Sequence, residues 1–316
     1  MTFRLPLVLL IITALSGCSE YWSSKVSTAD SAPSAWSSPQ VAALAPEEEP
    51  SPSSGIVASG PHAQTGAVAA SLPAPAPRRT AKESRRVALV VGNSNYVHVA
   101  PLSNPANDAR LMARTLRNLG FTLVDGDAQI DLDKVPFDRE IQKFGTQARG
   151  ADVALFYYAG HGIQVKGLNY LVPVNANPKS EADTYFMVDA QAVLAQMDAG
   201  NPRLKVMILD ACRNNPFGGR GLRSTGGGLA AMDVPEGTLI LYATAPGEVA
   251  QDGASADSPF TQTLAKKITE GGKDIQDVFN DVGLAVAKST DQSQVPWEAK
   301  SPIEGKFYLA GGPTAP

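Results

Sequence analysis

Four near-continuous apolar runs constrain the fold of this chain more than any other feature. They are RVALVVGN, ADVALFYYAG, LKVMILDA and GTLILYAT, at 86–93, 151–160, 204–211 and 237–244. Strands that are buried on both faces have this pattern, which is typical of a parallel sheet covered by helices. Shorter strand candidates are FTLVDG, NYLVPV and the terminal GKFYLA. The runs therefore predict a mostly parallel central sheet.

Helical patterns separate these runs. In the segment 103–120, Asn104 is a suitable N-cap, Pro105 suits the first helical position and Gly120 suits the end. Apolar residues also recur at helical spacing in the segments 137–148, 264–268 and 275–286. Since strands alternate with helices, we predict an α/β fold with helices on both faces of the sheet.

The N-terminus has the pattern of a secretory signal. Arg4 precedes an apolar run from Leu5 to Leu15, which is shorter than the roughly 20 residues that a bilayer-spanning helix needs. The stretch LSGC resembles the bacterial lipobox, so we interpret residues 1–17 as a lipoprotein signal peptide and Cys18 as the lipidated first residue. The serine that follows suggests, by this resemblance, the outer membrane on its periplasmic side. An ordinary signal peptide that is cleaved nearby is the alternative.

Composition divides the rest of the chain into two parts. Residues 18–85 are rich in Pro, Ala and Ser and lack hydrophobic periodicity, so we predict a disordered tether. Residues 86–312 are long enough for one domain with a sizeable core. The formal net charge is only −4 and no basic stripe occurs, which argues against nucleic acid as a partner.

Two reactive side chains follow the strongest strand candidates. His161 comes after FYYAG and Cys212 after ILDA, and ligands of open α/β sheets bind at the carboxyl ends of the strands. An adjacent imidazole lowers the pKa of a thiol and can protonate the leaving group. Gly160 and Gly162 allow the backbone to turn sharply and approach a ligand, and the amides of Gly162 and Cys212 are candidate oxyanion donors. A buried cysteine and a hydrogen-bonded histidine without catalytic roles remain the alternative at this point.

The motifs YYAGHG and LDACRNNPF together resemble the caspase-like cysteine peptidases of clan CD, peptidase family C14, and specifically the bacterial metacaspase-like or orthocaspase branch. The resemblance covers residues 86–310, including ALVVGNSNY and SPFTQTLAKKI. It implies the caspase–haemoglobinase α/β fold with a mostly parallel central sheet and helices on both faces. It also implies His161 as general acid and base, Cys212 as nucleophile, and by analogy a monomer.

The same resemblance implies a substrate preference. The metacaspase branch recognises Arg or Lys before the cut through acidic residues, and Asp108 and Asp210 stand at the matching places. A carboxylate pair at the base of a slot favours a guanidinium, which binds in bidentate fashion. Asp108 could instead complement a helix dipole, and Asp210 could orient a loop.

Two further expectations concern activation. The glycine-rich segment after Cys212 carries Arg220 and Arg223, after either of which the enzyme could cleave itself; an uncut surface loop is the alternative. Calcium binding stays open, because the acids Glu181, Asp183 and Asp189 do not follow an EF-hand pattern. The predicted chemistry itself requires no cofactor, and the few His and Cys residues argue against zinc.

Two functions from different classes therefore compete. The first is a lipid-anchored cysteine endopeptidase that cleaves protein or peptide substrates after Arg or Lys through an acyl-enzyme. The second is a caspase-fold scaffold lipoprotein of the cell envelope with little or no peptidase activity. A nucleotide binder built on VVGNSNY is poorly supported, since no phosphate-binding glycine pattern follows that strand. His98 is not flanked by glycines as His161 is, and it is the weaker candidate for a catalytic histidine.

Overall fold

The computed structural model describes residues 84–212, 229–245, 248 and 255–312, with Cys212 described by its backbone alone. In these residues the chain forms nine strands and five α-helices. In order they are β1 (Arg86–Gly92), α1 (Pro105–Asn118), β2 (Phe121–Leu123), β3 (Gln129–Ile130), α2 (Lys134–Ala148), β4 (Val153–Val165), β5 (Leu168–Leu171), β6 (Val188–Asp189), α3 (Ala190–Ala199), β7 (Leu204–Cys212), β8 (Thr238–Tyr242), α4 (Pro259–Lys267), α5 (Ile275–Ser289) and β9 (Trp297–Lys300). Within this part of the chain, none of the helices has the length and apolar character that spanning a membrane requires.

The central sheet is mostly parallel, as the apolar runs predict. Its order is β2-β1-β4-β7-β8-β9, and every neighbouring pair is parallel except the antiparallel pair of β8 with β9. The short β3 pairs with β1, while β5 extends from β4 as an antiparallel hairpin and pairs with β6. The carboxyl ends of β1, β4 and β7 consequently meet at one edge of the sheet.

Helices cover both faces because successive strand residues point to opposite sides. Val90 and Leu155 pack towards α1, α4 and α5, whereas Leu89 and Phe156 pack towards α2 and α3. The predicted apolar stripes of these helices are buried, as at Phe144, which is fully covered. Burial of each such side chain contributes about 1.5–3 kcal/mol relative to an exposed one.

Two strand boundaries differ from the prediction. β4 was expected to end at Gly160, but it continues through His161 to Val165 because β5 pairs with the extension. Gly160 therefore lies within the strand with φ +151° and does not form a sharp turn. Likewise Cys212 is the last residue of β7 rather than the first after it.

The last strand also differs. GKFYLA does not form a strand, and the edge of the sheet is β9 instead. Trp297 in β9 is 49% exposed, so this strand lacks the apolar run by which buried strands are recognised.

A satellite cluster of apolar side chains lies beside the main core. Its buried members are Tyr96, Ile163, Val165, Val172, Val174, Ala176 and Met187. It packs the loop 93–104, which follows β1, against the β4–β5 hairpin, and the Val97 N–H donates to Val174 O at 2.9 Å. The position of this loop is thereby fixed relative to His161.

Candidate active site

His161 and Cys212 are register partners in the pair of β4 with β7. Neighbouring strands lie about 4.8 Å apart, so the main chains of the two residues are adjacent at the carboxyl edge of the sheet. This adjacency of the main chains is what the predicted pairing of thiol and imidazole requires. Their chemical roles stay predictions.

The imidazole of His161 is held by two groups from the loop 93–104. Its Nε2 lies 2.8 Å from Ala100 O, and its ring centroid is 4.5 Å from that of Tyr96. A carbonyl oxygen only accepts, so Nε2 carries the proton in this bond. In the neutral ring Nδ1 is then the nitrogen that can take up a proton.

The loop that presents Ala100 is tied down by Asp131. Asp131 Oδ1 accepts from the N–H groups of Ser94 and Asn95 at 2.7 and 2.9 Å, and Oδ2 accepts from Asn95 Nδ2 at 2.6 Å. Asn93 is fully buried and donates from Nδ2 to Val172 O while accepting from the Leu132 N–H. These bonds join the end of β1 to the segment that follows β3 and to the segment that follows β5.

The Gly162 amide lies beside this pair. His161 directs its N–H and C=O towards Tyr96 and Val172. Because successive residues of a strand direct their peptide groups to opposite edges, the Gly162 N–H faces the edge where β7 ends at Cys212. A Cβ on Gly162 would lie 3.1 Å from Ala211 Cβ, so the absence of a side chain allows close approach of the two strands.

Asp108 and Asp210 converge on one residue, Ser258. The Ser258 N–H donates to Asp108 Oδ1 at 2.8 Å, and the Ser258 hydroxyl donates to Asp210 Oδ2 at 2.6 Å. Both acids are buried, with exposed fractions of 2% and 6%. Asp210 reaches the start of α4 from β7, and Asp108 reaches it from the first turn of α1. The structure thus brings together the two acids that the sequence predicts as a pair.

A chain of hydroxyls continues inwards from Asp210. The Thr261 hydroxyl donates to Asp210 Oδ2 at 2.8 Å, so the Tyr157 hydroxyl, 2.6 Å from Thr261 Oγ1, is the donor in its own bond. Burial, followed by the charges of Asp210 and Asp108, raises the pKa of Tyr157 well above its usual value. Tyr157 therefore remains a neutral donor in this chain.

Sequence reasoning did not identify Ser258, Thr261, Tyr96 or Ala100 as parts of the site. Ser258 had a local signal, since a serine followed by proline is typical of a helix start, and it is the N-cap of α4. The others act through contacts between residues far apart in sequence, which no local pattern indicates.

The acids considered for calcium are not gathered. Asp183 accepts from the N–H groups of Lys179 and Ser180, Asp189 caps α3, and Glu181 pairs with Lys166. In the described part of the chain, no group of three or more His, Cys, Asp and Glu side chains could hold a metal ion.

Several predicted residues do not belong to the described site. His98 is exposed on the loop 93–104, and its side chain makes none of the contacts described above. Cys18, Arg220 and Arg223 lie outside the described residues, as do residues 1–83 with the predicted signal peptide and almost the whole tether. Lipidation and self-cleavage stay predictions.

Known proteins resemble a large part of this chain. A human protein, mucosa-associated lymphoid tissue lymphoma translocation protein 1, is 28% identical over 241 residues, which are 71% of this chain and 28% of the relative. Mouse caspase-1 is 23% identical over 249 residues, covering 72% of this chain and 60% of the relative. The chain therefore spans less than two thirds of either relative.

Solved structures agree with the fold. The Drosophila initiator caspase Dronc superposes with a TM-score of 0.52 at 16% identity, covering 72% of this chain and 83% of the other. Caspase-1 from Spodoptera frugiperda also gives 0.52, at 19% identity, covering 72% and 91%. These similarities show a caspase fold.

The match to a family model extends over the whole described domain. The model for the caspase domain, peptidase family C14, matches residues 85–308, which include β1 to β9 and every site residue described above. This chain belongs to the caspase-domain family of cysteine peptidases.

Proposed function

We propose that this protein is a lipid-anchored cysteine endopeptidase that cleaves after Arg or Lys through an acyl-enzyme. The register pairing of His161 with Cys212 is the observation that carries the proposal. Further support comes from the bond of His161 Nε2 to Ala100 O, because it assigns the basic nitrogen of the ring.

In this mechanism His161 Nδ1 takes the proton of the Cys212 thiol, and the thiolate attacks the carbonyl carbon of the scissile bond. The N–H groups of Gly162 and Cys212 stabilise the oxyanion. The imidazolium then protonates the leaving amine, and a thioester remains on Cys212. Water, deprotonated by His161, hydrolyses the thioester and regenerates the thiol.

The preference for a basic residue rests on Asp108 and Asp210. Two buried carboxylates held within hydrogen-bond distance of one residue repel each other, and a cation between them relieves that repulsion. A guanidinium matches such a pair because it offers several donors in a fixed plane. An aspartate at the same substrate position would add a third negative charge, so we expect it to be excluded.

Membrane attachment is part of the same proposal. Its support is the LSGC stretch, and acyl chains on Cys18 would contribute about 0.8 kcal/mol per buried CH₂. We place the protein on the periplasmic side of a bacterial outer membrane. Fractionation tests the anchor: Cys18→Ser should move the full-length chain from the membrane fraction to the soluble fraction.

The catalytic proposal is tested with the full-length protein and matched fluorogenic peptides that carry Arg, Lys or Asp before the cleaved bond, with and without calcium. We expect turnover of the Arg and Lys peptides, its loss in Cys212→Ala, and a raised KM in Asp210→Asn. Absence of turnover from folded protein under every condition would favour the scaffold function instead. Preferred cleavage after Asp would refute the assigned specificity.

A further inference from the structure

The hydrogen-bonded pairing of β1 with β4 stops just before it reaches His161. The last register partners are Gly92 and Ala159, and the Asn93 N–H still donates to Ala159 O at 2.9 Å. In a continued parallel ladder, the His161 N–H would donate to the next carbonyl of β1. After Asn93, however, the chain leaves the sheet as the loop 93–104.

A tyrosine hydroxyl occupies the place of that carbonyl. The His161 N–H donates to Tyr96 Oη at 2.7 Å, and Tyr158 Oη donates to His161 O at 2.8 Å. The two hydroxyls are 3.4 Å apart. The Tyr158 proton is directed to His161 O, with Val172 O also 3.3 Å away, so the Tyr96 hydroxyl is the one that can donate between the two. The bonds form a closed circuit that begins and ends on the main chain of His161.

Two further observations tie the circuit to this position. Both hydroxyls lie 2.6 Å from the site that a Cβ on Gly160 would occupy, so they fit only because residue 160 is glycine. The ring of Tyr96 also lies against the imidazole of His161. Tyr96 is thus in contact with both the main chain and the side chain of His161.

We propose that Tyr96 is a positioning residue for His161, and that its hydroxyl replaces a strand carbonyl so that the imidazole is held in reach of Cys212. This inference rests on the proposed function, since it requires His161 to act on the thiol. Without the hydroxyl, the buried His161 N–H loses its acceptor, and the end of β4 must shift to find another. A displaced imidazole stabilises a thiolate less.

The test measures the thiol directly and needs no peptide substrate. Full-length protein carrying Cys18→Ser has Cys212 as its only cysteine, and iodoacetamide alkylation between pH 5 and 10 gives the midpoint of thiolate formation. We expect Tyr96→Phe to raise this midpoint by about one pH unit, and to slow alkylation at neutral pH about 10-fold. Tyr170→Phe is the matched control, because Tyr170 packs on the same satellite cluster and the substitution should leave the midpoint unchanged.

The His161→Ala variant separates the two proposals. The midpoint of the parent could be low and be raised by His161→Ala but not by Tyr96→Phe. That result would refute the role of Tyr96 and leave the thiolate–imidazolium pair standing. Equal midpoints in the parent and in His161→Ala would refute the thiolate–imidazolium pair itself. Unfolding would expose the thiol and move the midpoint towards about 8.5, the value of a free cysteine, so the midpoints are compared only between folded variants.

Circular dichroism melting checks that each variant is folded at the assay temperature. Should Tyr96→Phe be unfolded there, Tyr158→Phe provides the second test. It opens the circuit but keeps the acceptor of the His161 N–H, so we expect a smaller rise of the midpoint. An unchanged midpoint in a folded Tyr158→Phe would then contradict the inference.

Discussion

Ser258 donates a 2.6 Å hydrogen bond from its hydroxyl to Asp210 Oδ2. The same hydroxyl accepts from the Thr261 N–H and so caps α4. Because the Ser258 N–H also binds Asp108, the start of one helix fixes the positions of two carboxylates from other elements. In the proposed function, binding of a basic substrate side chain at this pair would therefore be coupled to the geometry of the cap.

Replacing Ser258 tests this coupling. Ser258→Ala removes the cap and the donor to Asp210, so we expect a loss of about 1 kcal/mol in unfolding free energy. The KM for an Arg peptide should rise about 10-fold. Asp274→Ala is the control, since Asp274 caps α5 away from the acid pair, and it should lower stability without changing KM. Equal KM changes in both variants would argue against a specific role of Ser258.

Tyr157 should make the unfolding free energy depend on pH in the alkaline range. Its pKa is raised by burial and by Asp210 and Asp108, so above about pH 10 the folded chain keeps a proton that the unfolded chain loses. The contribution of the Tyr157 proton to the unfolding free energy is therefore complete below about pH 10 and is lost as the pH rises. The unfolding free energy then falls with a limiting slope of about 1.4 kcal/mol per pH unit. Urea unfolding at pH 9, 10 and 11 should show a smaller decline in Tyr157→Phe.

Tyr185→Phe is the matched control for that experiment. Tyr185 is 82% exposed, so its hydroxyl is solvated in the folded and unfolded chain alike, and the decline should equal that of the wild type. A decline in Tyr157→Phe as steep as in the wild type would show that Tyr157 is not its source.

Gly160 should tolerate no side chain. Gly160→Ala places a Cβ 2.6 Å from the hydroxyls of Tyr96 and Tyr158, at a φ of +151°. We expect a loss of about 2–4 kcal/mol in stability from overpacking and backbone strain. Gly283→Ala, in α5, meets no atom within 4 Å and should instead raise stability by about 0.5–1 kcal/mol. Thermal melting of both variants measures this difference in stability. Comparable melting temperatures for Gly160→Ala and Gly283→Ala would refute the packing argument.

Asp131 should control activity from outside the site, because it holds the loop that presents Ala100. Asp131→Ala removes the acceptor of three N–H bonds, and we expect about 2–3 kcal/mol less stability together with a reduced kcat/KM. Asp127→Ala removes an exposed ion pair with Arg117 and one exposed bond from the Ala128 N–H, and it should change stability by less than about 1 kcal/mol. Full activity in folded Asp131→Ala would contradict this role of the loop.

The sheet and its helices could be predicted because burial on both faces leaves a continuous apolar run, as in β7. β9 could not, since a half-exposed edge strand carries no such pattern. The extension of β4 beyond Gly160 was missed for a related reason: glycines suggest a turn, while pairing with β5 keeps this segment extended.

The residues of the site likewise fall into those that local sequence predicts and those that it does not. His161 and Cys212 each stand at the end of an apolar run, so local sequence predicts each of them beside a strand end, while the order of the sheet makes the two strands neighbours. Ser258 joins Asp108 to Asp210 across 150 and 48 positions of sequence, and no local pattern encodes such contacts. Tyr96 likewise reaches His161 only because the loop 93–104 folds back over β4.

Covalent labelling shows whether Cys212 is a nucleophile that reacts beside a basic side chain. Full-length protein is treated with two acyloxymethyl ketone peptides that differ only in carrying Arg or Asp next to the reactive group, and the modified residue is mapped by mass spectrometry. We expect the Arg reagent to alkylate Cys212, and we expect this labelling to be lost in His161→Ala and weakened in Asp210→Asn. Labelling of Cys212 by the Asp reagent in preference, or by neither reagent in folded protein, would contradict the proposed function.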